Sequence, residues 1–227
     1  MQDSTDDRNK QATPPLPSSK GSFTQDRALG PVLSLVDNAR ARMFLNGAIL
    51  PPLMSSLKDY VTEIPDFPKK GILFRDITTI LSSPEGFKMA IDSLVDLLKG
   101  VDFDLVVGTE SRGFIFGAPV AYALGKGFIL VRKKGKLPRE TVSESYDLEY
   151  GQAEIEMHTD AIKPGQRVVL IDDLIATGGT TEAVVKLVEK EQGVVVKALF
   201  VMELAGLNGR EKLKGIDVES LIVYEGA

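Results

Sequence analysis

Beyond the first quarter of the chain, apolar positions alternate between helical spacing and short continuous runs. Residues 84–99 carry apolar side chains at intervals of three and four, including Phe87, Ile91 and Leu98. This spacing predicts a helix with one buried face. Residues 103–108 form an apolar run closed by a glycine, which is typical of a buried strand.

The same alternation continues toward the C-terminus. It predicts further helices at 111–124 and 180–191, and further strands at 127–132, 148–157, 167–171 and 194–202. Strands and helices in regular succession imply a parallel sheet with helices on both faces. We therefore expect an α/β fold whose ligands bind at the carboxyl ends of the strands.

The N-terminal part of the chain has a different character. Residues 1–28 are rich in Pro, Ser, Gln and Asp and lack apolar periodicity, which predicts disorder. A targeting peptide is the functional alternative, although early aspartates are unusual in organellar transit peptides. Apolar residues return over 32–53 and indicate a short helix or docked arm. We expect an extension over 1–56 and a single domain over 57–227.

Composition limits the classes of partner. The 227 residues carry a formal net charge of −5, which argues against a nucleic-acid partner. Cysteine is absent, so the chain has no disulfide, thiolate metal site or cysteine nucleophile, and it suits a reducing cytoplasm. The apolar runs are too short to cross a bilayer. We expect a soluble, cytoplasmic protein without a membrane partner.

The most informative stretch is 168–181, VVLIDDLIATGGTT. An apolar strand leads into Asp172 and Asp173, then into a loop of small residues that opens a helix. Backbone N–H groups at a helix N-terminus bind anions, and the hydroxyls of Thr177, Thr180 and Thr181 add donors. Paired carboxylates accept hydrogen bonds from vicinal hydroxyls. A phosphate site beside a diol site predicts a ribose 5-phosphate ligand.

Other interpretations of this loop fit less well. A nucleotide-binding P-loop would end in Gly-Lys-Ser or Gly-Lys-Thr, and a dinucleotide fold would need three spaced glycines after an early strand. The alternative to a ligand site is an ordinary strand-turn-helix connection with acidic caps. Two acids, two glycines and three threonines in one short stretch argue against it.

This stretch resembles the PRPP-binding motif of the type I phosphoribosyltransferases, where PRPP is phosphoribosyl pyrophosphate. Four further segments resemble those of adenine phosphoribosyltransferases within that family: DFPKKGILFRDITTIL (66–81), GTESRGFIFGAP (108–119), VRKKGKLP (131–138) and SYDLEYGQAEIE (145–156). The resemblance extends over residues 57–225. It implies a type I phosphoribosyltransferase fold with a mostly parallel central sheet, a small hood over 57–82 and a flexible lid loop over 133–157.

The resemblance also implies a PRPP site. Its members would be Asp172, Asp173, Ala176, Thr177, Gly178, Gly179, Thr180, Arg112, Arg132 and Lys136. Arg112 would face the pyrophosphate, and Arg132 would reach the active site of the partner in a homodimer. The alternative for Arg112 is a surface pair with Glu110. Without the resemblance, the basic cluster around Lys136 would be interpreted as a solvated face.

For the base, the resemblance implies an adenine site formed by Leu73, Phe74, Arg75, Leu174, Glu149 and Tyr150. Glu149 would handle a proton of the purine and act with Arg112 and Lys136 in catalysis. From sequence alone, Phe74 would be a core residue. His158 is the only histidine and is expected to be structural.

The implied reaction joins adenine to PRPP and yields AMP and pyrophosphate. Mg²⁺ is the implied cofactor, held mainly by substrate oxygens, with Asp172 and Asp173 supporting it through water. Two alternatives remain open at this stage. One is transfer to another purine, and the other is a non-catalytic regulator that senses PRPP.

Overall fold

The computed structural model describes residues 56–147 and 152–226. Four α-helices are present in this part of the chain: α1 (Thr78–Ser82), α2 (Pro84–Asp96), α3 (Arg112–Ala123) and α4 (Gly179–Lys190). Nine strands accompany them: β1 (Thr62–Pro65), β2 (Leu73–Asp76), β3 (Leu105–Thr109), β4 (Gly127–Lys133), β5 (Thr141–Asp147), β6 (Gln152–His158), β7 (Arg167–Ile175), β8 (Val194–Leu204) and β9 (Asp217–Tyr224). Short 3-10 turns lie at Leu57–Tyr60, Ala205–Leu207 and Gly209–Lys212.

Seven strands form the main sheet in the order β5-β6-β4-β3-β7-β8-β9. The five strands from β4 to β9 in this order are parallel, with α3 connecting β3 to β4 and α4 connecting β7 to β8. The hairpin β5–β6 is antiparallel and extends the sheet beyond β4. The expected α/β fold with a mostly parallel sheet is confirmed.

Both faces of the sheet are buried. Along β7, Val169 and Ile171 belong to the core shared with α2 and α3, whereas Val168 and Leu170 belong to the core shared with α4. All four side chains are fully buried. Because successive side chains of a strand point to opposite faces, this alternation requires helices on both sides.

The hood region contains a separate two-stranded sheet. Strands β1 and β2 pair antiparallel, with Thr62 opposite Asp76 and Pro65 opposite Leu73. The following segment is attached to the main core through the buried side chains of Ile77 and Ile80. This attachment gives β1 and β2 a fixed base beside the sheet.

The sequence predicted most element centres but missed several strands. The helices predicted at 84–99, 111–124 and 180–191 are confirmed, with ends shifted by up to three residues. The strand predicted at 167–171 continues to Ile175, so the prediction that the two aspartates follow the strand was wrong. Strands β1, β2, β5 and β9 were not predicted. Strands β1 and β2 have only four residues each and β5 is largely polar, whereas β9 was missed although it ends in the apolar run 221–224.

The polar stretch that begins near residue 134 was expected to be a loop. Residues 141–147 instead form β5, which pairs along its full length with β6. An edge strand needs apolar residues on only one face, so polar composition alone did not identify it. The predictions for 1–28 and 32–53, and for the start of the strand expected over 148–157, lie outside the described residues. Within 56–147 and 152–226, no helix has the length and apolarity needed to cross a membrane.

Candidate active site

A cavity of about 410 Å³ opens where β3 and β7 end. Its wall is formed mainly by polar groups from two strand ends, two helix starts and the hairpin. The lining residues are Thr109, Glu110, Ser111, Arg112, Lys133, Tyr146, Asp172, Asp173, Leu174, Ala176, Thr177, Gly178, Gly179, Thr180 and Thr181. The predicted acidic pair and the whole predicted phosphate loop therefore border one cavity.

The loop between β7 and α4 turns at Gly178, whose φ of 76° lies in the left-handed region. A Cβ atom at this position would lie 2.4 Å from the carbonyl oxygen of Gly209. Only glycine satisfies both the dihedral angle and the close approach. Helix α4 begins at Gly179, and its first-turn N–H groups, which have no intrahelical acceptor, border the cavity.

Asp172 and Asp173 are 8% and 7% exposed because β7 extends through them. Burial raises the pKa of Asp172 well above its usual value, and the adjacent Asp173 carboxylate raises it further. The Asp173 N–H donates to Asp172 Oδ1 at 2.9 Å. A Cβ atom at Gly113 would lie 2.8 Å from the same oxygen, so α3 approaches the acids as closely as glycine allows.

Arg112 is placed beside the acidic pair by the start of α3. Its Nε donates to Asp173 Oδ2 at 2.5 Å, and its side chain is 49% exposed. Glu110, which was the alternative surface partner of Arg112, instead accepts a hydrogen bond from Arg132 Nε at 3.0 Å. Arg112 is therefore paired with Asp173 at the cavity wall and not with Glu110, and its contact with pyrophosphate stays a prediction. The peptide bond between Glu110 and Ser111 is cis.

Arg132 is connected to the cavity by its hydrogen bond to Glu110, which is a lining residue. Glu110 also accepts the N–H of Lys133 at 3.1 Å, and Arg132 Nη1 donates to the carbonyl of Lys136 at 3.0 Å. Burial would raise the pKa of Glu110, but the hydrogen bonds from Arg132 and Lys133 outweigh it and the pKa is lowered. Arg132 and Lys136 lie next to the cavity and do not line it.

Glu156, which sequence reasoning missed, organises the turn before the hairpin. Its carboxylate is 4% exposed and accepts the N–H groups of Lys136 and Leu137, each at 2.9 Å. As one of 32 acidic residues it gave no sequence signal. Its partners lie about twenty positions away along the chain, so only pairing of the strands brings them together.

The candidate adenine residues are divided between three places. Leu174 lines the cavity, whereas Leu73, Phe74 and Arg75 lie in β2 and do not. The Phe74 ring packs edge-on against Phe67 at 5.1 Å, and the Arg75 guanidinium lies 4.0 Å from the Tyr224 ring. Glu149 and Tyr150 lie outside the described residues.

Further residues line the cavity, and of these Tyr146 is the one that sequence patterns did not place at the site. Thr109, Ser111 and Thr181 extend the polar wall, and Lys133 and Tyr146 close it from the hairpin side. Tyr146 had one signal, an aromatic side chain within a polar stretch. That signal does not distinguish a cavity wall from ordinary packing.

The described residues contain no group of three or more His, Cys, Asp or Glu side chains arranged to hold a metal ion. Two carboxylates at a phosphate cavity suit Mg²⁺, because this ion commonly takes one or two carboxylates and completes its shell with phosphate oxygens and water. Asp172 and Asp173 are the residues that would support it here.

The fold and the cavity define a phosphoribosyltransferase. Residues 77–223 match the model of the phosphoribosyl transferase domain family. The adenine phosphoribosyltransferase of Agathobacter rectalis is 60% identical over 173 residues, covering 76% of this chain and 99% of that protein. The one from Butyrivibrio fibrisolvens is 64% identical over 173 residues, covering 76% and 96%. The chain belongs to the adenine phosphoribosyltransferase family.

Solved structures agree with this placement. The adenine phosphoribosyltransferase of Thermoanaerobacter pseudethanolicus superposes with a TM-score of 0.72 at 54% identity, covering 74% of this chain and 98% of that one. The Saccharomyces cerevisiae enzyme, solved with adenine and an imino-altritol bisphosphate, superposes with a TM-score of 0.69 at 43% identity, covering 73% and 96%.

Proposed function

We propose that this protein transfers the 5-phosphoribosyl group of PRPP to N9 of adenine, giving AMP and pyrophosphate. The observation that carries this proposal is one cavity lined by both the phosphate loop, Ala176 to Thr180, and the acidic pair, Asp172 and Asp173. The choice of adenine is supported by the relatives named above and by the adenine bound to the yeast enzyme.

In this reaction the N9 lone pair displaces pyrophosphate at the anomeric carbon, and the carbon–oxygen bond to pyrophosphate breaks. The phosphate loop binds the 5-phosphate, and the acidic pair accepts hydrogen bonds from the ribose hydroxyls. Arg112 and Lys136 stabilise the charge that develops on pyrophosphate. Arg112 is suited to this role because its guanidinium already lies at the cavity wall beside Asp173.

Mg²⁺ would be held by PRPP oxygens and water, with Asp172 and Asp173 as supporting carboxylates. Bound there, it would neutralise charge on the leaving pyrophosphate. The protein's own contribution is to position the two substrates and to exclude water from the sugar carbon.

Adenine is proposed to bind between Leu174 on the cavity wall and the hood residues Leu73, Phe74 and Arg75. Glu149 and Tyr150 would complete this site from the tip of the hairpin, with Glu149 receiving or orienting a purine proton. The hairpin and the turn before it, residues 133–157, would act as a lid over PRPP. Both assignments rest on the family resemblance.

We also propose a homodimer. Ile115 and Tyr122 lie two turns apart on α3 and are 38% and 90% exposed. Leu130 on β4 is 40% exposed and shares a strand face with Phe128, whose ring packs 6.0 Å from Phe114 of α3. Exposed apolar side chains on one surface favour association between copies. In such a dimer, Arg132 would reach toward the partner's site.

We place the reaction in the cytoplasm, where the cysteine-free chain suits a reducing environment. The extension, residues 1–56, would then not act as a targeting signal. Fractionation of cells that produce the full chain, beside a variant lacking residues 2–56, tests this assignment. Equal cytoplasmic recovery of both proteins is the expected result.

The deciding experiment mixes the protein with PRPP, Mg²⁺ and one base at a time from adenine, hypoxanthine, guanine and xanthine. We expect nucleotide formation with adenine and at least a hundredfold slower formation with the 6-oxo purines, as an order-of-magnitude expectation for a site that reads an exocyclic amine. Nucleotide formation with a different base would identify that base, and not adenine, as the substrate. No product with any base would overturn the enzyme assignment.

A further inference from the structure

Strand β5 is joined to the phosphate-loop helix through one of its two faces. Val142 and Tyr146 both pack against the core cluster that contains the buried face of α4. Glu144 lies between them and, at a spacing of two residues, on the same face of the strand. The side of β5 that meets α4 is therefore apolar at both ends and carries a carboxylate in the middle.

Glu144 binds two lysines of α4. Its Oε2 lies 2.7 Å from Lys190 Nζ, and its Oε1 lies 3.9 Å from Lys186 Nζ. Lys190 Nζ also donates to the backbone carbonyl of Ser143 at 2.6 Å. The two lysines are four residues apart and share one helix face. Three contacts thus fix one point of β5 to the last two turns of α4.

The three side chains of this cluster differ in solvent exposure. The Glu144 side chain is 19% exposed, whereas those of Lys186 and Lys190 are 47% and 44% exposed. A sheltered carboxylate with two cations is screened less by water and salt than a fully exposed pair. The cluster also connects a hairpin to a helix that is distant in the sequence, so it restrains tertiary structure and not only a local turn.

Both connected elements supply walls of the candidate active site. Tyr146, two residues after Glu144, lines the cavity from β5, while Thr180 and Thr181 line it from the first turn of α4. We propose that Glu144 is a positioning residue for PRPP binding: by holding β5 on α4, it fixes Tyr146 against the phosphate cavity. This inference rests on the proposed function, since it takes the cavity to be the PRPP site.

Glu144→Gln tests the proposal, because it removes the charge with little change in size. Steady-state kinetics at saturating adenine should show the KM for PRPP raised about three- to fivefold, with kcat changed less than twofold, as expected for a partly sheltered ion pair. The matched control is Glu189→Gln, which also removes one carboxylate charge, but from an exposed position of α4. The control should keep the wild-type KM.

A double-mutant cycle identifies the partner. Lys190→Met should raise the KM for PRPP by a similar factor, and Glu144→Gln in that background should add little, because the contact is already lost. Calorimetric titration of PRPP with Mg²⁺ gives the dissociation constant without turnover and should change by the same factors. Independent, multiplying effects of the two substitutions would overturn the assigned partnership.

A purely structural role gives a different result. In that case Glu144→Gln would lower the thermal midpoint while leaving both KM and the dissociation constant for PRPP at wild-type values, and the proposal would be wrong. Failure of the proposed function is distinguishable, since the wild-type protein itself would then make no AMP. If the wild type also failed to bind PRPP, both proposals would fall together.

Discussion

At the scale of single residues, the acidic pair shows how position in a strand changes chemistry. Because β7 continues to Ile175, Asp172 and Asp173 are held in a buried strand end and not in a solvated loop. An acid whose pKa is higher in the folded than in the unfolded chain weakens the fold as pH rises above about 4. Asp172 therefore reduces the stability of the fold at neutral pH. A residue that destabilises the fold is better explained by a role in function than by a role in folding.

Replacing both acids tests their role. Asp172→Asn with Asp173→Asn should lower kcat/KM for AMP formation by a factor of about 10² or more, because neutral amides accept hydrogen bonds from the ribose hydroxyls more weakly. The thermal midpoint at pH 7 should stay close to that of the wild type, because removal of the buried Asp172 charge offsets loss of the Arg112–Asp173 ion pair. AMP formation rates and thermal unfolding measure the two effects.

A matched control neutralises two acids on a surface helix. Asp92→Asn with Asp96→Asn removes two exposed carboxylates of α2, which pair with Lys88 and Lys99. Activity should remain at the wild-type level. Wild-type turnover in the Asp172 and Asp173 variant would show that these residues have no role in the reaction.

Gly178 is a second residue whose identity is fixed by geometry. Gly178→Ala should destabilise the protein by about 2–4 kcal/mol, combining left-handed strain of about 1–2 kcal/mol with displacement of the Gly209 carbonyl. Gly125→Ala is the control, since its φ of 63° imposes the same strain but nothing lies within 4 Å of the new Cβ. Urea unfolding of both variants measures the difference, and equal losses would contradict the close-contact argument.

At the scale of elements, the phosphate loop is supported by the turn Gly209–Lys212. This turn is held to the sheet by Glu203, whose carboxylate receives two hydrogen bonds from Arg210, at 2.6 Å from Nε and 2.5 Å from Nη2. Ser220 Oγ donates to the same carboxylate at 2.7 Å. Because Gly209 contacts Gly178, this network helps to fix the position of the phosphate loop.

The network predicts a pH-dependent stability. The hydrogen bond from Arg210 lowers the pKa of Glu203 despite burial. A depressed carboxyl pKa stabilises the fold above the unfolded value of about 4.3, and this contribution is lost as pH falls through the lower folded value. Glu203→Gln should therefore cost about 1–3 kcal/mol at pH 7 and progressively less below pH 4.

Chemical denaturation at pH 7, 5 and 3.5 measures this trend. Glu211→Gln is the control, because it removes an exposed carboxylate from the same turn, and its stability should match the wild type at each pH. A loss from Glu203→Gln that is independent of pH would show that packing, and not charge, carries the effect.

At the scale of the whole molecule, the exposed apolar surface around α3 predicts association. Tyr122→Glu places a charge at a side chain that is 90% exposed in one chain, so a monomer would tolerate it. In a dimer that buries this surface, it should raise the dissociation constant at least tenfold, as an order-of-magnitude expectation for a buried unpaired charge. Sedimentation analysis should show a shift toward the single-chain mass of 24.6 kDa.

Val194→Glu is the control for this experiment. Val194 is 51% exposed at the start of β8, away from the α3 surface. It should leave the association unchanged. A wild-type protein that sediments as a monomer at micromolar concentration would contradict the dimer proposal directly.

The sequence by itself determined the elements that have strong local patterns. Helices α2 and α4 follow from one-faced apolar spacing, and the central strands follow from continuous apolar runs. The prediction that the loop 176–180 and the acidic pair share one site also rests on local sequence, because all of these residues lie within the fourteen residues 168–181. Local information suffices where the interacting groups are neighbours in the chain.

Only the tertiary structure decided the contacts between distant segments. The sequence did not indicate that Arg112 pairs with Asp173, that Glu156 organises a turn twenty residues earlier, or that Tyr146 forms a cavity wall. It also left the polar edge strand β5 unrecognised. These features depend on which strands become neighbours in the sheet, and that choice is made by burial of the whole core and not by any single segment.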